Sequence, residues 1–318
     1  SMNKIARALN IVCIADIGLL SIEYTCVENG ETFTNALSLS TTGINTDKLT
    51  ELENFADGFQ ERAGKYSVAQ FHRILDKFQE MPANYKAINL ALASALACCG
   101  FTFLLGGGAI EMILAFFGAG VGQFVRKKLL ERHITLLANV TVGVAAACTA
   151  YVLLMKLAEA LFDVSAVHQA GYICSMLFII PGFPLITGGI DLAKLDLRSG
   201  LERLTYAILI IVTATLTGTV MALIFDFHPS DFTEQEMSDG LKILLRLICS
   251  FCGVYGFSFL YNSKRRMAVT AGLIGMIANT LRLELIDFTN IPVPAAAFMT
   301  FCISSSVGMC VDGLTACG

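Results

Sequence analysis

Eight residues have the types and spacing that chemistry inside an apolar chain would need: Glu111, His168, Pro181, Gly182, Pro184, Thr187, Asp191 and Arg203. Asp191 ends the stretch PGFPLITGGID, where a carboxylate just past a helix break could bind a ligand ammonium or carry a proton. Pro181 and Pro184, with Gly182, interrupt a helix because proline donates no N–H and its ring clashes with the preceding turn. Backbone freed in this way at membrane depth must line a cavity or be buried in protein, and broken helices at the midplane are where ligand sites form. A plainer reading competes with this one. Roughly 17 residues separate Val164 from Pro181, about one hydrocarbon thickness, so the break equally fits the end of a span. Asp191 would then be a solvated carboxylate beside Lys194 or Arg203, and Arg198 and Arg203 would serve topology.

Glu111 stands about one helical turn inside a span, as a gating or proton-relay group or as a snorkelling carboxylate. His168 occupies the outer end of the fourth apolar run, as an interfacial histidine or a group titrating near neutrality. Thr187 joins Asn139, Thr141, Asn279 and Ser304 to Ser306, which either line a polar path or hydrogen-bond between helices. No catalytic set, metal site or cofactor is expected. Cys249 and Cys252 have CxxC spacing but sit in an apolar run as packing residues. Gly106 to Gly108 lack the Gly-Lys-Ser/Thr that completes a phosphate loop.

The elements that position these residues follow from composition. The chain of 318 residues is 55% hydrophobic and 15% charged, with mean hydropathy +0.67. A soluble domain carries roughly a quarter charged residues, so this balance points to a bilayer. The net charge of −4 lacks the basic excess of a nucleic-acid binder. Apolar runs at 88–105, 109–125, 134–155, 164–190, 204–225, 247–261, 267–281 and 291–311 mark about eight transmembrane helices. Lys and Arg concentrate in every second loop, at 126–132, 191–203 and 263–266, which makes those loops and the N-terminus cytoplasmic. The loops at 156–163, 226–240 and 283–288 are acidic and lie outside.

Residues 1–86 are polar and read as a small α+β cytosolic domain. A β-branched stretch turns at Glu28-Asn29-Gly30-Glu31, because Asn-Gly tolerates positive φ. Amphipathic helices follow at Asp47 to Arg62 and Ser67 to Met81, with Phe55, Phe59, Phe71, Ile74 and Phe78 at helical spacing. The membrane part divides into five spans over 87–225 and three over 226–318. Gly100-Phe-Thr-Phe-Leu104 in the first span matches Gly256-Phe-Ser-Phe-Leu260 in the sixth. An offset of five spans makes the second copy enter from the opposite side. The fold expected is therefore an all-α polytopic membrane protein with an incomplete inverted repeat, a transporter signature.

FFGAGVGQFVRKKLLERH (116–133) with IIPGFPLITGGIDLAKLDLRSGLERLTYA (179–207) resembles the threonine/serine exporter family, including its split form of a five-span protein and a smaller partner. GINTDKLTELENFAD (43–57) is similar to the end of that family's soluble domain. The resemblance implies a proton-coupled secondary exporter of threonine or serine, or of dicarboxylates in some split members, in the bacterial inner membrane. It also implies ten spans, against which this chain looks truncated at both ends. The partners implied are a small amino acid or dicarboxylate, the lipid bilayer, and a homo-oligomer or partner membrane subunit. Two alternatives stand beside it. One is a membrane enzyme whose N-terminal domain is hydrolase-like, although residues 1–86 hold a single histidine, His72, and no Ser-His or Cys-His spacing. The other is a non-transporting subunit of a dicarboxylate exporter complex.

Overall fold

The computed structural model describes residues 2–39, 42–162, 166–228, 232, 237–289 and 291–316, with the side chains of 166–168 and 306–316 outside the description. The chain falls into two compact units. One gathers residues 1–84, 181–209 and 261–263, and the other gathers 85–180, 210–260 and 264–318.

The first unit opens with helix α1 (Met2–Ala8) and a three-stranded antiparallel sheet in the order β1 (Val12–Ile17), β2 (Ser21–Glu28), β3 (Glu31–Ser38). Asn29 and Gly30 have φ of 52° and 87°, so the Asn-Gly turn takes the doubly left-handed form that matches strand twist. Strand β1 and helix α1 add to what the sequence predicted. Helix α2 (Thr46–Asp57) is capped by Asn45, whose side chain accepts from the Lys48 N–H. The single helix expected over 47–62 is divided at Gly58 into α2 and α3 (Phe59–Arg62). Helix α4 (Val68–Glu80) begins with a reciprocal Ser67–Gln70 capping box. The helical phenylalanine spacing resolves into one ring cluster, in which Phe55 packs on Phe59, Phe71 and Phe78 at centroid distances of 5.8 to 6.0 Å.

Each apolar run lies mainly on helix in its described residues. Among the described residues, six helices are long and apolar enough to cross a membrane: α5 (Ala87–Leu104), α6 (Ala109–Glu131), α7 (Leu136–Phe162), α9 (Leu197–Ile224), α10 (Asp239–Leu260) and α11 (Arg265–Phe288). The fourth run is a 3₁₀ helix (Ala166–Ile179) followed by α8 (Gly182–Ala193), with a 60° bend at the break. The eighth lies in α12 (Val293–Ala316), whose described apolar part, Val293–Ser305, is shorter than a full span. The predicted acidic loop at 283–288 is instead the last turns of α11. There Glu284 and Asp287 each lie 2.7 Å from Arg246 of α10.

The second unit packs through small side chains. Ala97, Cys98, Ala115, Ala119, Ala147 and Cys148 are fully buried, which lets helix backbones approach closely. Helices α5 and α10 meet reciprocally. A side chain on Gly100 would strike the Cys249 carbonyl at 2.6 Å, and one on Gly256 would strike Ala97 at 2.9 Å. The Phe101 and Phe257 rings pair at 5.3 Å.

Candidate functional site

The Pro181 break works by dividing labour between its prolines. Pro181 precedes α8 with φ −83° and ψ 63°, which is not helical, so the 3₁₀ helix stops there. Pro184 falls in the first turn of α8, where an N–H would have no intrahelical partner, and so it costs the new helix nothing. Gly182 has nothing within 4 Å of where a side chain would begin, so close approach does not explain it. The segment Leu185 to Ile190 is continuous helix, neither unwound nor running into a loop. Thr187 turns its hydroxyl back to donate to the Phe183 carbonyl at 2.9 Å.

After α8 the chain reverses within three residues. Leu195 takes φ 64°, the Asp196 N–H donates to the Asp191 carbonyl at 2.9 Å, and the Asp196 carboxylate accepts from the Ser199 N–H. Helices α8 and α9 then run close enough for Gly188 and Gly200 to meet. A side chain on Gly188 would lie 3.2 Å from the Gly200 carbonyl oxygen and 3.3 Å from Arg203 Cβ. This closeness brings Asp191 and Arg203 together, with Oδ2 and Nη1 2.7 Å apart and the side chains only 20% and 28% exposed. The Asp191 Oδ2 atom is itself buried, so the pair is a close and partly desolvated ion pair.

The next turns of α9 grip the β1–β2 turn. The Ser199 hydroxyl donates to the Ile17 carbonyl, the Leu19 N–H donates to Glu202 Oε2 at 2.6 Å, and Arg198 pairs with Asp16 and Glu202. Arg198, which the sequence placed among topology charges, is thus a docking residue. Thr42 donates to the Tyr206 hydroxyl at 3.0 Å, and Thr46 meets both the Tyr261 carbonyl and Ser263.

The second unit holds Glu111. It is 1% exposed, far from the snorkelling arrangement, and Oε2 accepts from the Gly108 N–H at 3.0 Å across the first turn of α6. The backbone of Gly171 lies over it, since a side chain at 171 would meet Glu111 Cβ at 2.7 Å and the Tyr151 hydroxyl at 2.5 Å. Tyr151, Tyr172 and Phe227 form the ring cluster beside it. His168 lies on the 3₁₀ helix with its side chain outside the described residues.

Arg282 escapes a reading by apolar runs, because it falls between the run ending at 281 and the acidic residues that follow. It lies inside α11, and its Nε and Nη2 donate to Asn279 Oδ1. A charge within a span is the signal that would have found it.

The family profile of the ThrE threonine/serine exporters matches residues 1–225. The chain is 27% identical over 223 residues to "Probable succinate transporter subunit YjjP" of Escherichia coli strain K12, covering 70% of this chain and 83% of the relative. It is 27% identical over 222 residues to the protein of the same name in Klebsiella aerogenes, covering 69% and 82%. No solved structure matches.

Proposed function

Since the chain belongs to the ThrE threonine/serine exporter family, we propose that it exports threonine or serine across the bacterial inner membrane by proton-coupled secondary transport. The observation that carries this reading is the Asp191–Arg203 pair, two opposite charges with little exposure, one on the helix that follows a break and one on the next helix. Intramembrane or near-membrane ion pairs are suited to alternate between each other and a zwitterionic ligand. Asp191 takes the ammonium or the coupling proton, and Arg203 takes the carboxylate. Glu111 is the second proton-accepting group, buried at a helix N-terminus beside Tyr151.

The same reading has residues 1–86 as the cytosolic domain, 87–225 as a five-span repeat and 226–318 as the start of an inverted second one. The reciprocal α5–α10 contacts support the repeat. Gly100 and Cys249 exchange places with Gly256 and Ala93 under the sequence match, and the matched Phe101 and Phe257 touch. Reciprocity of this kind is what a local two-fold axis produces. The Lys/Arg-rich segments at 126–132, 191–203 and 263–266 support a cytoplasmic N-terminus.

A second reading is favoured by the names of the relatives, which are succinate transporter subunits. On it the cargo is a dicarboxylate and a partner membrane subunit completes the pathway. Efflux from proteoliposomes preloaded with labelled threonine, serine or succinate separates the two. Proton-dependent threonine efflux lost in Asp191→Asn supports the first reading. Succinate efflux alone, or only with an added partner subunit, supports the second. Wild-type efflux rates in Asp191→Asn sink the Asp191 assignment.

A further inference from the structure

We propose that Arg282 binds the carboxylate of a small organic anion in a cavity bounded by α5, α10, α11 and α12. The cavity is an open groove of about 550 Å³, lined by Ser250, Asn279, Arg282, Thr300 and Ser304, with Phe101 on its apolar wall. Small-molecule sites have this size and this mix of apolar wall and few polar groups. Its polar lining lies outside the segment that the family profile matches.

The guanidinium has five N–H donors in a planar fork. Nε and Nη2 donate to Asn279 Oδ1 at 3.1 and 2.9 Å, and Asn279 Nδ2 donates to Ser250 Oγ at 2.8 Å. The asparagine is therefore clamped between α10 and the arginine, and it fixes the guanidinium plane. The opposite edge, Nη1 with the second Nη2 donor, is a two-pronged fork of the spacing that carboxylates take bidentately. Among the described residues no carboxylate pairs with Arg282. Glu284 and Asp287 on the same helix are engaged by Arg246 at 2.7 Å each, and Asp287 also by Lys242 at 2.8 Å. Simple snorkelling explains a long cation near a helix end. It does not explain the clamp, because a head group bound for water needs no asparagine to orient it.

The inference rests on the transport reading only for the identity of the anion, and its test is independent of any gradient. The full chain, in nanodiscs of phosphatidylcholine alone, is titrated with succinate and with L-threonine, and binding is followed calorimetrically. Saturable binding is expected, weakened roughly tenfold or more in Arg282→Gln and less in Arg282→Lys, which keeps the charge but loses the fork. Ala297→Phe fills the cavity from α12 while keeping the arginine and should also abolish binding, which covers the case in which Arg282→Gln fails to fold. Equal affinity in Arg282→Gln or in Ala297→Phe overturns the site, as does absence of carboxylate binding to the wild type. A response only to added phosphatidylglycerol overturns it in favour of a lipid headgroup. Intact binding without efflux in proteoliposomes would instead remove the transport reading and leave the site standing.

Discussion

Arg203 and Arg282 are both arginines near apolar helices, and the structure treats them oppositely. Arg203 faces a carboxylate 2.7 Å away, whereas Arg282 donates to the Asn279 amide oxygen and, among the described residues, meets no carboxylate. The cause is backbone spacing. The Gly188–Gly200 approach lets α8 and α9 sit close enough for side chains on different helices to pair. On α11 the acids and the arginine share one helix but not one face. Residues two apart point to opposite sides, while those three apart are neighbours. Arg282 therefore meets Asn279, and Glu284 meets α10. The first region neutralises its charge internally, and the second keeps a charge available.

That contrast can be broken in order of effect. Gly188→Leu should do most, because it forces α8 away from α9 and separates Asp191 from Arg203. A stability loss of about 3 kcal/mol is expected, read by thermal unfolding in detergent, together with loss of efflux. Asp191→Asn should cost about 1–3 kcal/mol by leaving Arg203 unpaired in a poorly exposed site. The double exchange Asp191→Arg with Arg203→Asp should recover much of that stability but not the efflux. If the exchange recovers neither, the pair is not what holds the hairpin. Arg282→Gln removes two neutral-acceptor hydrogen bonds and a desolvated charge, so its unfolding should shift by no more than about 1 kcal/mol. A large loss there would mean that Arg282 is structural. Asp16→Asn should do least, about 0.2–1 kcal/mol, because its pair with Arg198 is half exposed. The effect should fade with added salt.

Much of this was legible in residues. The Asn29-Gly30 hairpin, the phenylalanine cluster and the apolar helices each follow from local pattern, since turn chemistry and periodicity act within a few residues. The proline break was legible for the same reason, although not its outcome as a restarted helix. The pairing of Arg198 with Asp16 was not legible because the two are distant in sequence. Glu111 read as a snorkelling candidate because its burial depends on Gly171 and Tyr151 from other elements. Arg282 was hidden by its position at the edge of an uncharged run.

The sequence alone determined that the chain is membrane-embedded, where its helices lie, and where one of them must break. Those are consequences of hydropathy and of proline's missing N–H. Tertiary structure decided which charges cancel and which remain. Pairing requires two backbones within reach and two side chains on facing surfaces, and neither condition is written in any single segment.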